Sequence, residues 1–136
     1  MKDFQLTEHF KFSEMCVSSR VLSNVPTDPK IIVNLYKLAL VLEKIRSYLR
    51  QPILINSAYR SPALNSLVGG VKNSDHLIGL AADIQCKLPS SELFQKLKDM
   101  SSNPFEFSFG QVILYPRFVH VSINQAKHIN QFILKS

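Results

Sequence analysis

Residues 74–83 of the chain read SDHLIGLAAD, and the neighbouring segments are best understood from this stretch. His76 precedes Asp83 by seven positions, and one glycine and two alanines lie between them. Such small residues let the backbone turn tightly between a loop and a strand. The apolar run over residues 80–84 predicts a strand, so an imidazole nitrogen and a carboxylate oxygen are expected to converge at its start.

A second informative stretch is FVHVSI, residues 118–123. Alternation along a strand places His120 on the face opposite Val119, Val121 and Ile123, and if that β-branched face is core, His120 points toward a cleft. Two neutral imidazoles and one carboxylate form a three-ligand zinc site whose fourth tetrahedral position is open for water. On spacing alone, a packed or hydrogen-bonded histidine is the alternative interpretation.

A third stretch, NSAYRSPALN at residues 56–65, follows one predicted strand and leads into a predicted helix. Arg60 carries a planar fork of N–H donors that can hold a carboxylate through two bonds, so it is a candidate for binding a negatively charged substrate end. The alternative is a salt bridge that fixes the loop.

The rest of the chain predicts helices and strands around these segments. Asp28 and Pro29 supply an N-cap and a first-turn proline, and apolar residues recur at helical spacing from there to Leu49. The other predicted elements are a strand at residues 53–55, a small helix over 61–70, a helix that begins at 89–90 and stops at 103–104, an antiparallel hairpin of strands 112–115 and 118–123, and a last short helix within 124–136. Residues 1–26 predict an ordered but irregular segment pinned by Phe4, Phe10, Phe12 and Met15. Together these elements predict a single α+β domain spanning residues 1–136.

Composition excludes several classes of protein. The chain has 136 residues, 46% of them hydrophobic, and no apolar run long enough to span a bilayer, so no membrane insertion is expected. Cys16 and Cys86 are too few for a disulfide framework and are expected to be free thiols, with Cys86 buried as a small hydrophobe. The first residues do not resemble a secretory signal, which predicts synthesis in a cytoplasm.

The formal net charge of +6 favours an anionic partner. No basic run interleaved with aromatic residues is present, so nucleic acid is not the expected partner. An anionic cell envelope also fits the positive charge.

The motifs now quoted resemble, in the same order, those of the zinc D-Ala-D-Ala carboxypeptidase family of metallopeptidases. They are SAYRSP at residues 57–62, Asn65 with Gly69-Gly70, the S-x-H-x-x-G-x-A-x-D pattern of residues 74–83, and VHVS at 119–122. The resemblance covers about residues 53–123 and is closest to short phage and bacterial members. It implies a small antiparallel sheet packed on helices, the fold shared with the hedgehog signalling domain.

The resemblance also implies the chemistry. One zinc ion per chain would be bound by His76, Asp83 and His120, and peptidoglycan stem peptides would be hydrolysed at bonds involving D-amino acids or between L-Ala and D-Glu. Arg60 would bind a substrate carboxylate or a carbonyl that gains charge in the transition state. Ser57, Tyr59 and Ser74 would complete the substrate site.

The general base departs from the family pattern. Relatives carry a glutamate shortly before the last histidine, in a run that resembles residues 111–115, QVILY, but here Tyr115 holds the carboxylate position. Glu106 is the nearest upstream carboxylate and is the tentative base, with Asp75 and Tyr115 as alternatives. A base must reach within about one hydrogen bond, or one bridging water, of the proton it takes.

Two functions follow as hypotheses. The first is a monomeric, endolysin-like zinc peptidase, made without a signal peptide, that acts at the cell wall once released by host lysis or carried on a virion. The alternative is a catalytically weak or inactive zinc module that binds peptidoglycan or a protein partner.

Overall fold

The computed structural model describes residues 3–18, 20 and 23–135. Four α-helices lie in this part of the chain: α1 (Phe12–Met15), α2 (Pro29–Leu49), α3 (Pro62–Leu67) and α4 (Ser90–Met100). A 3-10 helix covers Asp75–Ile78. The strands are β1 (Leu54–Ser57), β2 (Ala81–Gln85), β3 (Gln111–Leu114), β4 (Val119–Ser122) and β5 (Gln131–Leu134). The α+β class predicted from the sequence is confirmed.

Helix α2 has the bounds that its capping residues predict. The Asp28 carboxylate accepts a hydrogen bond from the Lys30 N–H at 2.9 Å, and Pro29 takes the first helical position, where its missing N–H costs nothing. The apolar stripe is buried in the core through Leu35, Leu38, Ala39, Leu42 and Ile45. The helix is therefore held by the core along its middle turns.

The five strands form one sheet in the order β1-β2-β4-β3-β5. All neighbours are antiparallel except β3 and β5, which run parallel. The predicted hairpin is confirmed: β3 and β4 pair, and the Tyr115 N–H donates to the Phe118 carbonyl at 3.0 Å across the turn. The observed strands differ from their predicted bounds by one or two residues, within ordinary end fraying.

The predicted short helix in the C-terminal tail is wrong, because residues 131–134 form β5 instead. A strand here satisfies the backbone through pairing with β3, and it lets Phe132 pack edge-on against Phe94 and Phe109 at ring-centroid distances of 5.6 and 6.3 Å. Asn130 adopts a left-handed φ of 47°, which a continuing helix does not allow. Tertiary packing has therefore overridden local preference.

The N-terminal segment is less irregular than predicted, since α1 lies inside it. Three of its predicted pins, Phe10, Phe12 and Met15, are buried in the core, whereas Phe4 is exposed and stacks on Phe12 at 4.8 Å. Residues 1, 2, 19, 21 and 22, which the same prediction covered, lie outside the described residues. The Met15 carbonyl accepts from the Tyr59 N–H at 2.9 Å, so the segment is tied to the loop that follows β1.

One face of the sheet forms part of the core, and the other carries the candidate site. One face carries Ala82, Ile84, Val112, Val119 and Val121 into the core beneath α2 and α4. Alternation sends the intervening side chains to the opposite face, where the candidate site lies. None of the helices in the described part of the chain combines the length and apolar composition needed to cross a membrane.

Candidate metal centre

The 3-10 helix positions His76. Its N-cap Ser74 accepts a hydrogen bond from the His76 N–H at 3.2 Å through the side-chain oxygen. Gly79 ends the helix with a left-handed φ of 76°, and a Cβ there would lie 3.1 Å from the Ile31 carbonyl oxygen. Glycine is required at this point because the turn packs directly on α2.

Strand pairing positions the other two candidate ligands. Asp83 of β2 lies directly opposite His120 of β4 in the antiparallel register, and both point to the face of the sheet away from the core. The cleft-facing orientation expected for His120 is what the buried Val119 and Val121 enforce. The sheet thus fixes the separation of these two side chains before any metal binds.

The three predicted ligands converge. His120 Nδ1 lies 2.9 Å and His76 Nε2 lies 3.2 Å from the same oxygen, Asp83 Oδ1. One ligand atom from each residue lies within 4.8 Å of the others, a separation that a single metal ion can bridge. The predicted grouping of His76, Asp83 and His120 is therefore present in space.

Hydrogen bonding around His76 fits a metal. His76 Nδ1 lies 2.6 Å from the Ala58 carbonyl oxygen, which can only accept, so Nδ1 carries the proton and donates it. In the neutral ring, Nε2 then presents a lone pair to a carboxylate oxygen, and a cation between the two satisfies both. Such an outer hydrogen bond is typical of metal-binding histidines, and two imidazoles with one carboxylate suit zinc.

Asp83 is a carboxylate at neutral pH. Burial raises its pKa, but the hydrogen bond with His120 and the neighbouring His76 imidazole outweigh burial and hold the pKa well below its ordinary value. Its second oxygen, Oδ2, accepts from Arg60 Nη2 at 3.2 Å. The carboxylate is thus divided, with one oxygen facing the histidines and the other facing the guanidinium.

Arg60 is fixed on three sides. Besides Asp83, its Nε donates to Ser57 Oγ at 3.2 Å and its Nη1 donates to Asn65 Oδ1 at 3.4 Å. A guanidinium has five N–H donors, so two remain for a ligand among the described contacts. Arg60 therefore fits both interpretations drawn from the sequence: it forms a salt bridge that fixes the loop, and it is a candidate anion site.

A cavity of about 400 Å³ opens above the three ligands. Arg60, Ser74 and Tyr115 line it, and Tyr115 stacks on Phe118 with ring centroids 4.7 Å apart. Gln111 and Ile113 line it from the same strand, which places Tyr115 on the cavity face by alternation. The position where a glutamate was expected is therefore directed at the site.

Asp75 lines the cavity but is fully engaged. Its Oδ2 accepts from Ser122 Oγ at 2.7 Å, and its Oδ1 accepts from Asn124 Nδ2 at 2.9 Å with Lys127 Nζ at 3.3 Å. Burial raises the pKa of Asp75, but these hydrogen bonds and the ammonium outweigh it and keep the pKa below its ordinary value. Asp75 therefore ties β4 and the following turn to the 3-10 helix.

Three of the predicted residues lie elsewhere. Ser57 does not line the cavity and acts on it only through Arg60. Tyr59 is buried in the core. Its backbone N–H donates to the Met15 carbonyl, and its carbonyl accepts from Asn24 Nδ2, so these two bonds hold the loop. Glu106 is exposed on the turn that follows α4 and does not line the cavity.

Two basic residues of the cavity are not predicted by the sequence analysis. Lys127 and Lys135 reach the cavity from the C-terminal segment. The apolar run FIL at residues 132–134 was the available signal, since recognising it as a strand would have added β5 to the sheet.

The chain matches a known protein family. A family model described as Peptidase M15 matches residues 8–122. The match includes all three candidate ligands and Arg60 but not β5 or the two cavity lysines. No protein with curated annotation matches the chain.

Proposed function

Because the chain belongs to the peptidase M15 family, we propose that it is a zinc-dependent peptidase that hydrolyses peptidoglycan stem peptides. Family membership supports a zinc peptidase of the peptidoglycan-related kind. The observation that carries the proposal for this chain is the convergence of His76, Asp83 and His120 in a cavity that Arg60 also lines.

In this proposal His76, Asp83 and His120 hold the zinc ion. A zinc ion held there supplies a Lewis acid that polarises a carbonyl and makes water a better nucleophile. Arg60 receives a substrate carboxylate, or the carbonyl oxygen as it gains charge, through its two remaining N–H donors. Ser57 and Asn65 keep the guanidinium in place, and Ser74 keeps His76 in place.

Position separates the three candidates named for the place of the general base. Of the three candidates, Glu106 lies outside the cavity and Asp75 already accepts three contacts, whereas Tyr115 is on the cavity face of the strand that precedes it. The proposal therefore gives Tyr115 the place beside the reacting carbonyl, and Glu106 as the base stays a prediction. Tyr115→Phe compared with Glu106→Gln separates them: loss of turnover in only one variant identifies the residue that matters.

One observation favours the alternative, a zinc module that binds peptidoglycan or a protein partner without turnover. Among the described residues, Asp75 and Asp83 are the carboxylates that line the cavity, and both are engaged by other side chains. A phenol is a weaker base than a carboxylate that is free at neutral pH. Retained binding with no product would support this alternative.

The deciding experiment is digestion of purified peptidoglycan and soluble stem peptides by the zinc-loaded protein, with products identified by mass spectrometry. His120→Ala removes one ligand, and His128→Ala is the matched control because His128 does not line the cavity. The proposal expects cleavage by the wild type and by His128→Ala but not by His120→Ala. If the peptides stay intact in every reaction while zinc is bound and the fold is retained, the peptidase is refuted and the binding module is the remaining hypothesis.

The proposed substrate also sets where the protein would act. Peptidoglycan lies outside the cytoplasmic membrane, so a phage-type enzyme would reach it through host lysis or on the virion. We propose a monomer, as one chain contributes all three ligands and Arg60 to the site.

A further inference from the structure

Strand β5 brings a lysine to the rim of the cavity. It pairs in parallel with β3, in a register that places Gln131 beside Gln111 and Ile133 beside Ile113. The Lys135 N–H donates to the Leu114 carbonyl at 3.0 Å, so the backbone of Lys135 is fixed one step past the last paired residues.

Alternation then determines the face on which Lys135 lies. Gln111, Ile113 and Tyr115 point into the cavity, and Gln131 is on their face because its Oε1 accepts from Gln111 Nε2 at 2.7 Å. Lys135 is two alternations beyond Gln131 and shares that face. It accordingly lines the cavity, on the strand next to Tyr115.

The ammonium of Lys135 differs in its surroundings from the other cations of the cavity. Arg60 is paired with Asp83, and Lys127 is paired with Asp75. Within the described part of the chain, no carboxylate lies within salt-bridge distance of Lys135, and the register continued past β3 and β5 places Tyr115 beside it. The positive charge of Lys135 is thus available to a ligand in the cavity.

The strand order gives the position of this charge relative to the metal site. His120 and Ile133 both pair with Ile113 of β3, so they lie two strands apart, roughly 10 Å at a spacing of about 4.8 Å per strand. Lys135 directly follows β5 and lies two residues beyond Ile133, roughly 7 Å further along, so its Cα is about 12 Å from that of His120. Arg60 lies beyond the other side of the ligand group, against Asp83. A distance of about 12 Å corresponds to about three or four residues of an extended peptide.

We propose that Lys135 is a specificity-determining residue that binds a second carboxylate of the peptide substrate, about three or four residues from the scissile bond and on the side opposite Arg60. The inference rests on the proposed function for the identity of the ligand as a peptide. It does not come from the family match, which ends at residue 122. The chain would therefore prefer an acidic peptide over the same peptide with that carboxylate amidated.

The test compares two stem peptides that differ only at the α-carboxyl group of the glutamyl residue, which is free in one and amidated in the other. Dissociation constants are measured by NMR titration of the zinc-loaded protein at low temperature, with peptide integrity followed by mass spectrometry. The variants are Lys135→Gln, Lys135→Arg and the matched control Lys37→Gln, which removes an exposed lysine of α2 away from the cavity.

We expect the wild type to bind the acidic peptide roughly two- to fivefold more tightly, the range of an exposed ion pair. Lys135→Gln should lose this preference, while Lys135→Arg and Lys37→Gln should keep it. High salt should reduce the preference in the wild type. Thermal unfolding of each variant checks that the fold is retained.

Equal preference in the wild type and Lys135→Gln, or binding of neither peptide, would overturn the role of Lys135. Charge-dependent binding that Lys135→Gln removes, without any cleavage, would leave Lys135 as an anion site and would refute the peptidase instead. Cleavage of both peptides without discrimination would support the peptidase and would refute the role of Lys135. The failures of the two proposals are therefore distinguishable.

Discussion

A single carbonyl oxygen determines which nitrogen of His76 faces the site. Ala58 accepts from Nδ1, and Arg60, two residues later, donates its backbone N–H to the His76 carbonyl at 3.0 Å. The loop after β1 and the 3-10 helix are thus locked together by two bonds in opposite directions. The loop contributes only backbone atoms to the two bonds, the Ala58 carbonyl and the Arg60 N–H, so substitutions of loop side chains other than proline at position 60 do not remove them directly.

Cys16 offers a test of burial at the residue scale. Burial, with a smaller contribution from the Asp3 charge, raises the pKa of its thiol from 9.0 to about 12. In a Cys86→Ser variant, we expect iodoacetamide at pH 8 to alkylate Cys16 far more slowly in the folded protein than in urea. Equal rates in the two states would contradict the burial of this thiol.

The same shift makes stability depend on pH. The fold favours the protonated thiol, so this contribution is complete below about pH 9 and is lost as pH rises toward 12. The free energy of unfolding, measured with urea between pH 9 and 12, should therefore fall more steeply with pH for the wild type than for Cys16→Ala. Parallel curves for the two proteins would show that Cys16 does not titrate with unfolding.

Residue roles were predictable where a pattern fixed a direction. The orientation of His120 follows from the two faces of a strand and its β-branched neighbours. The residues alone allow a grouping with His76 and Asp83 but leave a packed histidine as the alternative, and the family resemblance favours the metal site. The family resemblance places Tyr59 in the substrate site, yet adjacent residues of an extended segment point to opposite sides, and only Arg60 faces the cavity. Its burial depends on the N-terminal segment, which no local pattern reveals.

At the scale of elements, a comparison of two glycines distinguishes the cost of backbone strain from the cost of steric crowding. Gly79 and Gly69 both have positive φ, 76° and 72°, but a Cβ at Gly79 would meet Ile31 and Leu35 within 3.2 Å while one at Gly69 meets nothing within 4 Å. We expect Gly69→Ala to lower the free energy of unfolding by about 1 kcal/mol and Gly79→Ala by about 2–4 kcal/mol. Urea denaturation measures both, and equal losses would mean that the 3-10 helix can move away from α2.

Strand β5 should contribute to stability through one side chain. Phe132 packs on Phe94 and Phe109, whereas Leu134 is 73% exposed. Phe132→Ala should cost about 2 kcal/mol, less than a fully buried phenylalanine, and Leu134→Ala should stay within about 0.5 kcal/mol. Chemical denaturation of the two variants checks this, and a neutral Phe132→Ala would indicate that β5 adds little to the core.

Elements were predictable to the degree that their signals are local. Helix α2 carries its own cap, its proline and five turns of apolar spacing, so both ends were placed correctly. Strand β5 is only four residues long and is stabilised by pairing with β3, a partner that lies 20 residues earlier in the register. In the tail, Ile129, Phe132 and Ile133 also fit helical spacing, so the apolar run at residues 132–134 is compatible with both a helix and a strand.

At the scale of the whole molecule, zinc should be coupled to folding, because the three ligands come from the 3-10 helix, β2 and β4. A ligand that binds only the folded state at about 100 times its Kd adds about 2.7 kcal/mol. For a chain of this size the melting temperature should rise by about 10 °C with zinc and fall again with a chelator. Differential scanning calorimetry gives this shift.

His120→Ala should abolish the zinc-dependent rise in melting temperature, and His128→Ala should preserve it. A full rise in His120→Ala would place the metal elsewhere on the chain. The measurement is independent of catalysis, so it tests the metal centre whether or not the protein turns over substrate.

The edge position of β5 has a consequence for the cavity rim. The strand is paired on one side only, with β3, and it lies outside the segment matched by the family, yet it forms part of the cavity rim. Exchange of residues 131–135 would alter the rim while the metal ligands, held by β2, β4 and the 3-10 helix, stayed in place. The shape and charge of the cavity rim can therefore change through substitutions in this edge strand while the three candidate metal ligands keep their positions.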